Sequence, residues 1–184
     1  LLRADTGQKR GSILPHAYVQ ILADCRNSLK ESGALDSNLH SSFAISAEEK
    51  WAANVLEEAA TVLEAGYFIS GESVLINLIE FLTSRLDSPL DKLIKAHNSG
   101  EAKENPDTLI KKQNIRTAIA LLPLFSVFQS FKSTDKSTIP MVFSRHTIAH
   151  NPVKKQFSKV NAAQGILCAT SMMAFEFDWD TRKL

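Results

Sequence analysis

Apolar residues recur along most of this chain at intervals of three and four, the period of helices with one buried face. Leu14, Tyr18, Ile21, Cys25 and Leu29 trace the first stripe, with Pro15 read into its first turn and Gly33 at its end. Residues 34–45 read as a mixed loop. Ser46 and Glu49 then form a capping box, a spacing that lets side chains satisfy backbone donors left open at a helix start. Trp51, Val55, Leu56, Ala59, Val62 and Leu63 make the predicted buried face of this second helix, and Gly66 stops it. Lys50, Glu57, Glu58 and Glu64 fall mostly opposite, as a solvated face. A third helix is predicted from Gly71 and Ser73 to about Leu86, with Val74, Leu75, Leu78, Ile79 and Leu82 inward. Ser88-Pro89 restarts a short helix that fades by residues 97–100.

Asn105-Pro106-Asp107 caps a long apolar helix reaching about Phe131, with Ile115, Ala118, Ile119, Leu122, Phe125, Val127 and Phe128 as its core face. Pro123 removes one hydrogen bond from that helix and predicts a kink near Ile119. Past a polar loop at 132–138, Pro140 and Pro152 frame a predicted helix of about eleven residues. Ser158 caps the last helix. Its apolar residues Val160, Ala163, Ile166, Leu167, Met173 and Ala174 cover more than half the circumference, which places it centrally or at a subunit interface. No strand pattern and no internal repeat is evident. The expected fold is all-α, an antiparallel bundle of about five to six helices. It forms one domain over 14–180, with a flexible arm at 1–13 and a tail at 181–184.

Composition narrows the function classes. With 184 residues and 44% hydrophobic content the chain can bury one core, and a net charge of +1 argues against broad coating of nucleic acid. Cys25 and Cys168 lie among apolar neighbours and read as buried reduced thiols. No apolar run reaches the length of a membrane span and the first residues do not resemble a secretory signal, so the expected location is cytoplasmic, without membrane partners. The chain starts at Leu1 rather than at methionine, which is compatible with an excised or processed piece of a longer chain.

Residues 139–151 hold the densest group of reactive side chains: Arg145, His146, His150 and Asn151. Arginine offers a planar fork to two phosphate oxygens, and histidine is the natural proton-transfer group near neutral pH. On a regular helix Arg145 and His150 stand roughly 140° apart, whereas His146 and His150 share a face. A complete site therefore needs a bend before Pro152 or a second copy of the motif. His146 and His150 also have the spacing of two metal ligands, but Thr147 replaces the glutamate of the zinc-protease motif and Arg145 repels a cation. No metal and no cofactor is expected. Glycine-rich phosphate loops and nucleophile motifs are absent, which argues against nucleotide hydrolysis. His16, His40 and His97 are isolated.

Arg145-His146-Thr147-Ile148-Ala149-His150 resembles the R-x4-6-H signature of HEPN domains. The longer stretch Ser144-Arg145-His146-Thr147-Ile148-Ala149-His150-Asn151 is similar to the NRHxxxHG form of many bacterial HEPN-like proteins, and a looser likeness continues through Asn161-Ala162-Ala163-Gln164-Gly165-Ile166-Leu167. Ser144 stands where that form commonly has asparagine, and Asn151 where it commonly has glycine. The resemblance implies a dimerising helical bundle and a metal-independent endoribonuclease, in which the ribose 2′-hydroxyl attacks the adjacent phosphate and leaves a cyclic phosphate. Under it, Arg145 would stabilise the phosphate, His150 would transfer protons and His146 would be the auxiliary polar residue. Ser144, Asn151, Lys154 and Lys155 are the candidate substrate contacts. The implied partners are an RNA substrate, a second copy of the chain, and an antitoxin or other domains, as in toxin–antitoxin and phage-defence systems. The alternative is a catalytically inactive HEPN-like module for dimerisation, RNA or partner binding. The plainest reading is that Arg145 caps carbonyls or pairs with an acid, and that His146 and His150 are ordinary surface or core histidines.

Overall fold

Ser46 opens a helix as its capping box predicts: its Oγ accepts the Glu49 N–H at 3.0 Å, ahead of α2 (Ala47–Glu64). The helix closes on Gly66, whose φ of 88° is the left-handed turn that glycine tolerates. The Gly66 N–H donates to the Leu63 carbonyl and the Tyr67 N–H to the Val62 carbonyl, the paired bonds of a Schellman stop. The computed structural model describes residues 10–32, 46–86, 115–129, 142–150 and 157–177, with side chains for all of these except 10–16, 115–119, 121 and 150. The expected short helix at 88–97, the start of the fourth long helix at 105–114 and the tail at 181–184 lie outside them.

Around α2 stand α1 (Arg10–Glu31), α3 (Phe68–Ser84), α4 (Ile115–Val127), α5 (Arg145–His150) and α6 (Lys159–Glu176). The described residues are all-α, without a strand, and none of their helices is long and apolar enough to cross a membrane. α1 begins at Arg10, inside the segment expected to be a flexible arm, so Pro15 lies within the helix and not in its first turn. Tyr18, Leu22, Cys25 and Leu29 are its buried stripe. Arg26 fastens α1 to α2, its Nε reaching Glu57 at 2.9 Å and its Nη groups Glu64 at 2.8 Å and Thr61 at 3.2 Å. Glu57 and Glu64 are thus ion-pair partners and not merely a solvated face.

α6 is central, packing on α1, α2, α3 and α4. Ser158 caps it by accepting the Asn161 N–H at 3.2 Å. Its buried residues include Ala162, Gly165, Ile166, Cys168, Ala169, Met172 and Met173, whereas Val160 and Leu167, expected inward, are exposed. Both cysteines are free and buried.

Two further expectations change. α3 starts at Phe68 and not at Gly71; a Cβ at residue 71 would run into the Leu63 side chain, so this glycine is a close contact between α2 and α3 and not a helix opener. Trp51 is 48% exposed and rests edge-on against Phe81 with ring centroids 4.7 Å apart. The inner face of α2 keeps Leu56, Ala59 and Leu63 as expected, and Ala52, Ala53 and Ala60 complete it in place of Trp51. Those alanines let helix axes approach in a way an indole would block.

Candidate functional site

The motif is anchored from below before it becomes helical. The buried ring of Phe143 lies against Gly165 of α6, where a Cβ would stand 2.8 Å from the ring. The Phe143 backbone N–H donates to Gln164 Oε1 at 2.8 Å. The Ser144 carbonyl then accepts the Ile148 N–H at 3.1 Å and the Thr147 hydroxyl at 2.9 Å, so the first turn of α5 closes on Arg145. The described part of α5 is Arg145–His150; it starts after non-helical residues 142–144, later than Pro140 suggested, and the residues up to Pro152 lie outside the described part of the chain. Tight pinning of the chain at Phe143 and Ser144 delays the start.

Ser144, Thr147 and Ile148 are buried, while Arg145 and His146 are partly exposed and Ala149 is exposed. α5 therefore uses one face to sit on α3 and turns Arg145 and His146 toward the surface. Ser144, a candidate substrate contact, is 1% exposed, with its hydroxyl unpartnered among the described residues and closed off from solvent beneath α5. The backbone of His150 lies one turn beyond His146; its side chain, with Asn151, Lys154 and Lys155, falls outside the described part of the chain.

Arg145 does have an acidic neighbour. Its Nε donates to Glu80 Oε1, an ion pair joining α5 to α3 across 65 residues of sequence. The two side chains are 40% and 36% exposed. At such exposure a pair contributes only about 0.2–1 kcal/mol to stability. Among the described residues, Arg145 is thus half-exposed, held along its Nε edge, and without a hydrogen bond on its Nη edge.

No family model, curated protein or solved structure matches this chain. The site's chemistry rests on its own residues.

α3 carries a second acidic side chain, away from Arg145. Glu72 of α3 is fully buried; its Oε1 accepts the N–H of Ser158 at 3.0 Å, and its Oε2 has no partner among the described residues. Burial pushes its carboxyl up to about 8, against the opposing effect of the Ser158 bond. The buried Tyr18 hydroxyl, which has no hydrogen-bond partner among the described residues, is pushed up to about 12 by burial and then by Glu72 and Glu64. Glu80 and Glu72 are the residues that sequence reasoning passed over. One signal was present, since they are the only charged residues in α3, an otherwise uncharged helix.

A mainly apolar cleft of about 460 Å³ opens between α4, residues 142–143 and α6, with Pro123, Val127, Phe143, Leu167 and Cys168 in its wall. Burial raises the Cys168 thiol to about 12, so it stays protonated and is a poor nucleophile.

Proposed function

We propose that this chain is a HEPN-like domain that acts on RNA as a metal-independent endoribonuclease. Arg145 holds the scissile phosphate and neutralises charge developing on it, and His150 carries the proton transfer as the 2′-hydroxyl attacks. His146, beside Arg145 on the exposed side, is the auxiliary polar group. Two copies bring two motifs to one cleft, which answers the angular separation of Arg145 and His150 on a single helix. The biological setting we assign is a toxin or phage-defence system in the cytoplasm, with an antitoxin or other domains as regulators.

One observation carries this reading: Arg145 is half-exposed and, among the described residues, engaged only through its Nε, on a helix whose opposite face is locked into the bundle. Anchoring the helix this firmly suits a side chain that must meet its substrate at a defined angle. The ion pair with Glu80 also favours a second reading, an inactive HEPN-like module that binds RNA or a partner, because part of the arginine's charge is already compensated. The two separate on the product. An endoribonuclease releases fragments ending in a 2′,3′-cyclic phosphate in the presence of EDTA, and fails on an all-deoxy strand of the same sequence. A binding module retains both strands intact.

A further inference from the structure

We propose that Glu80 is the positioning residue of this site, and that it restricts the RNA phosphate to the Nη1/Nη2 edge of Arg145; this rests on the ribonuclease reading given above. A guanidinium is planar and has two edges able to grip an oxyanion with two parallel hydrogen bonds, one formed by Nε and an Nη, the other by both Nη groups. Glu80 takes the Nε–H, which removes the first edge. Because delocalisation holds the group flat, fixing the Nε–H direction also fixes where the remaining edge points.

The two partners differ in rigidity in the way this role requires. Glu80 stands on α3, a 17-residue helix packed against α2, α5 and α6. Arg145 is the first residue of α5, and a free arginine side chain there would sample many rotamers. Glu80 turns that flexible chain into a directed one. Since both side chains are more than a third exposed, stability gives no strong reason for the pair, and the orientation of Arg145 is what remains for it to do.

The test uses the full chain and a labelled single-stranded RNA of mixed sequence, in EDTA, with thermal melting of every variant. Glu80→Ala is expected to lower kcat on the order of 10- to 100-fold, with a smaller change in KM and a melting temperature lowered by no more than about 2–4 °C. Glu80→Gln restores most of the rate, because its amide oxygen still accepts from Nε. Glu80→Asp, which keeps the charge but withdraws it by one methylene, stays impaired. Equal or higher activity in Glu80→Ala overturns the proposal, as does a Glu80→Gln rate no better than that of Glu80→Ala. Should Glu80→Ala fail to fold, the contrast between Glu80→Gln and Glu80→Asp decides alone. Arg145→Ala is measured beside them: if it matches wild type, or wild type itself does not cleave, the ribonuclease reading has failed and this inference goes with it. A fully active Glu80→Ala beside a dead Arg145→Ala sinks only the role of Glu80.

Discussion

Gly165 and Phe143 are in contact so close that no larger residue fits between them: a Cβ on residue 165 would lie 2.8 Å from the ring of Phe143 and 2.9 Å from Leu75 Cδ1. This contact seats the strand of chain that enters α5, and it links the central helix to the motif. Gly165→Ala should therefore do two things. Overpacking is expected to exceed the helix-propensity gain of alanine, for a net loss of about 1–2 kcal/mol in denaturant melts. The Phe143 ring must also move, and with it the backbone bond to Gln164, so RNA cleavage should fall more than stability does. A Gly165→Ala protein with wild-type stability would show that the ring yields freely.

Gly66 offers the contrasting case. Nothing lies within 4 Å of a Cβ built there, and the residue's φ is 88°. Gly66→Ala should cost about 1 kcal/mol through backbone strain alone, and Gly66→Asn less, since asparagine tolerates the left-handed region better. Chemical denaturation of the pair against wild type checks the order.

Glu72 makes stability depend on pH. Its carboxyl titrates near 8 in the folded chain, against an ordinary value of 4.5. Between these values the folded state keeps a proton that the unfolded state has released, so rising pH favours unfolding. The contribution of Glu72 is fully present below 4.5, is lost as pH rises, and levels off above about 8, with a slope of at most about 1.4 kcal/mol per pH unit. Glu72→Gln keeps an acceptor for the Ser158 N–H and removes the titration. Its melting temperature should rise relative to wild type from pH 5 to pH 8. Parallel curves for the two proteins would contradict the assignment.

Arg26 joins Glu57, Glu64 and Thr61 at once, and a network of this kind contributes more than isolated surface pairs. Arg26→Ala is expected to cost about 1–2 kcal/mol, by loss of the charge-assisted bonds and of packing by its stem. Arg26→Lys should recover only part, because an ammonium cannot reproduce the fork. Salt titration of the melting temperature separates the ionic share from the packing share.

Much of the helical framework could be read from local signals. The Ser46 and Ser158 caps and the Gly66 stop each depend on residues within a few positions of one another, so a linear reading captures them. The breadth of the apolar face of α6 similarly announced a helix with neighbours on several sides. What stayed hidden depends on how helices rotate against each other. Trp51 and Leu167 fit an apolar period but lie on the rim, because alanines and Gly165 occupy the closest approaches. Gly71 looked like punctuation and is a packing contact. At the site, Arg145 and His146 stood out by chemistry, while Glu80 could not, since nothing local ties residue 80 to residue 145. An uncharged helix interrupted by two glutamates was the only trace.

The central claim is that Arg145 and His150 cleave RNA, and the most direct measurement is cleavage of single-stranded RNA in EDTA by wild type, Arg145→Ala and His150→Ala, each verified as folded. Wild type is expected to produce fragments with 2′,3′-cyclic phosphate ends, and each variant to lose activity on the order of 100-fold or more, the loss expected when a phosphate clamp or a proton-transfer group is removed. Undiminished cleavage in both variants, or no cleavage of RNA by wild type, would contradict the claim.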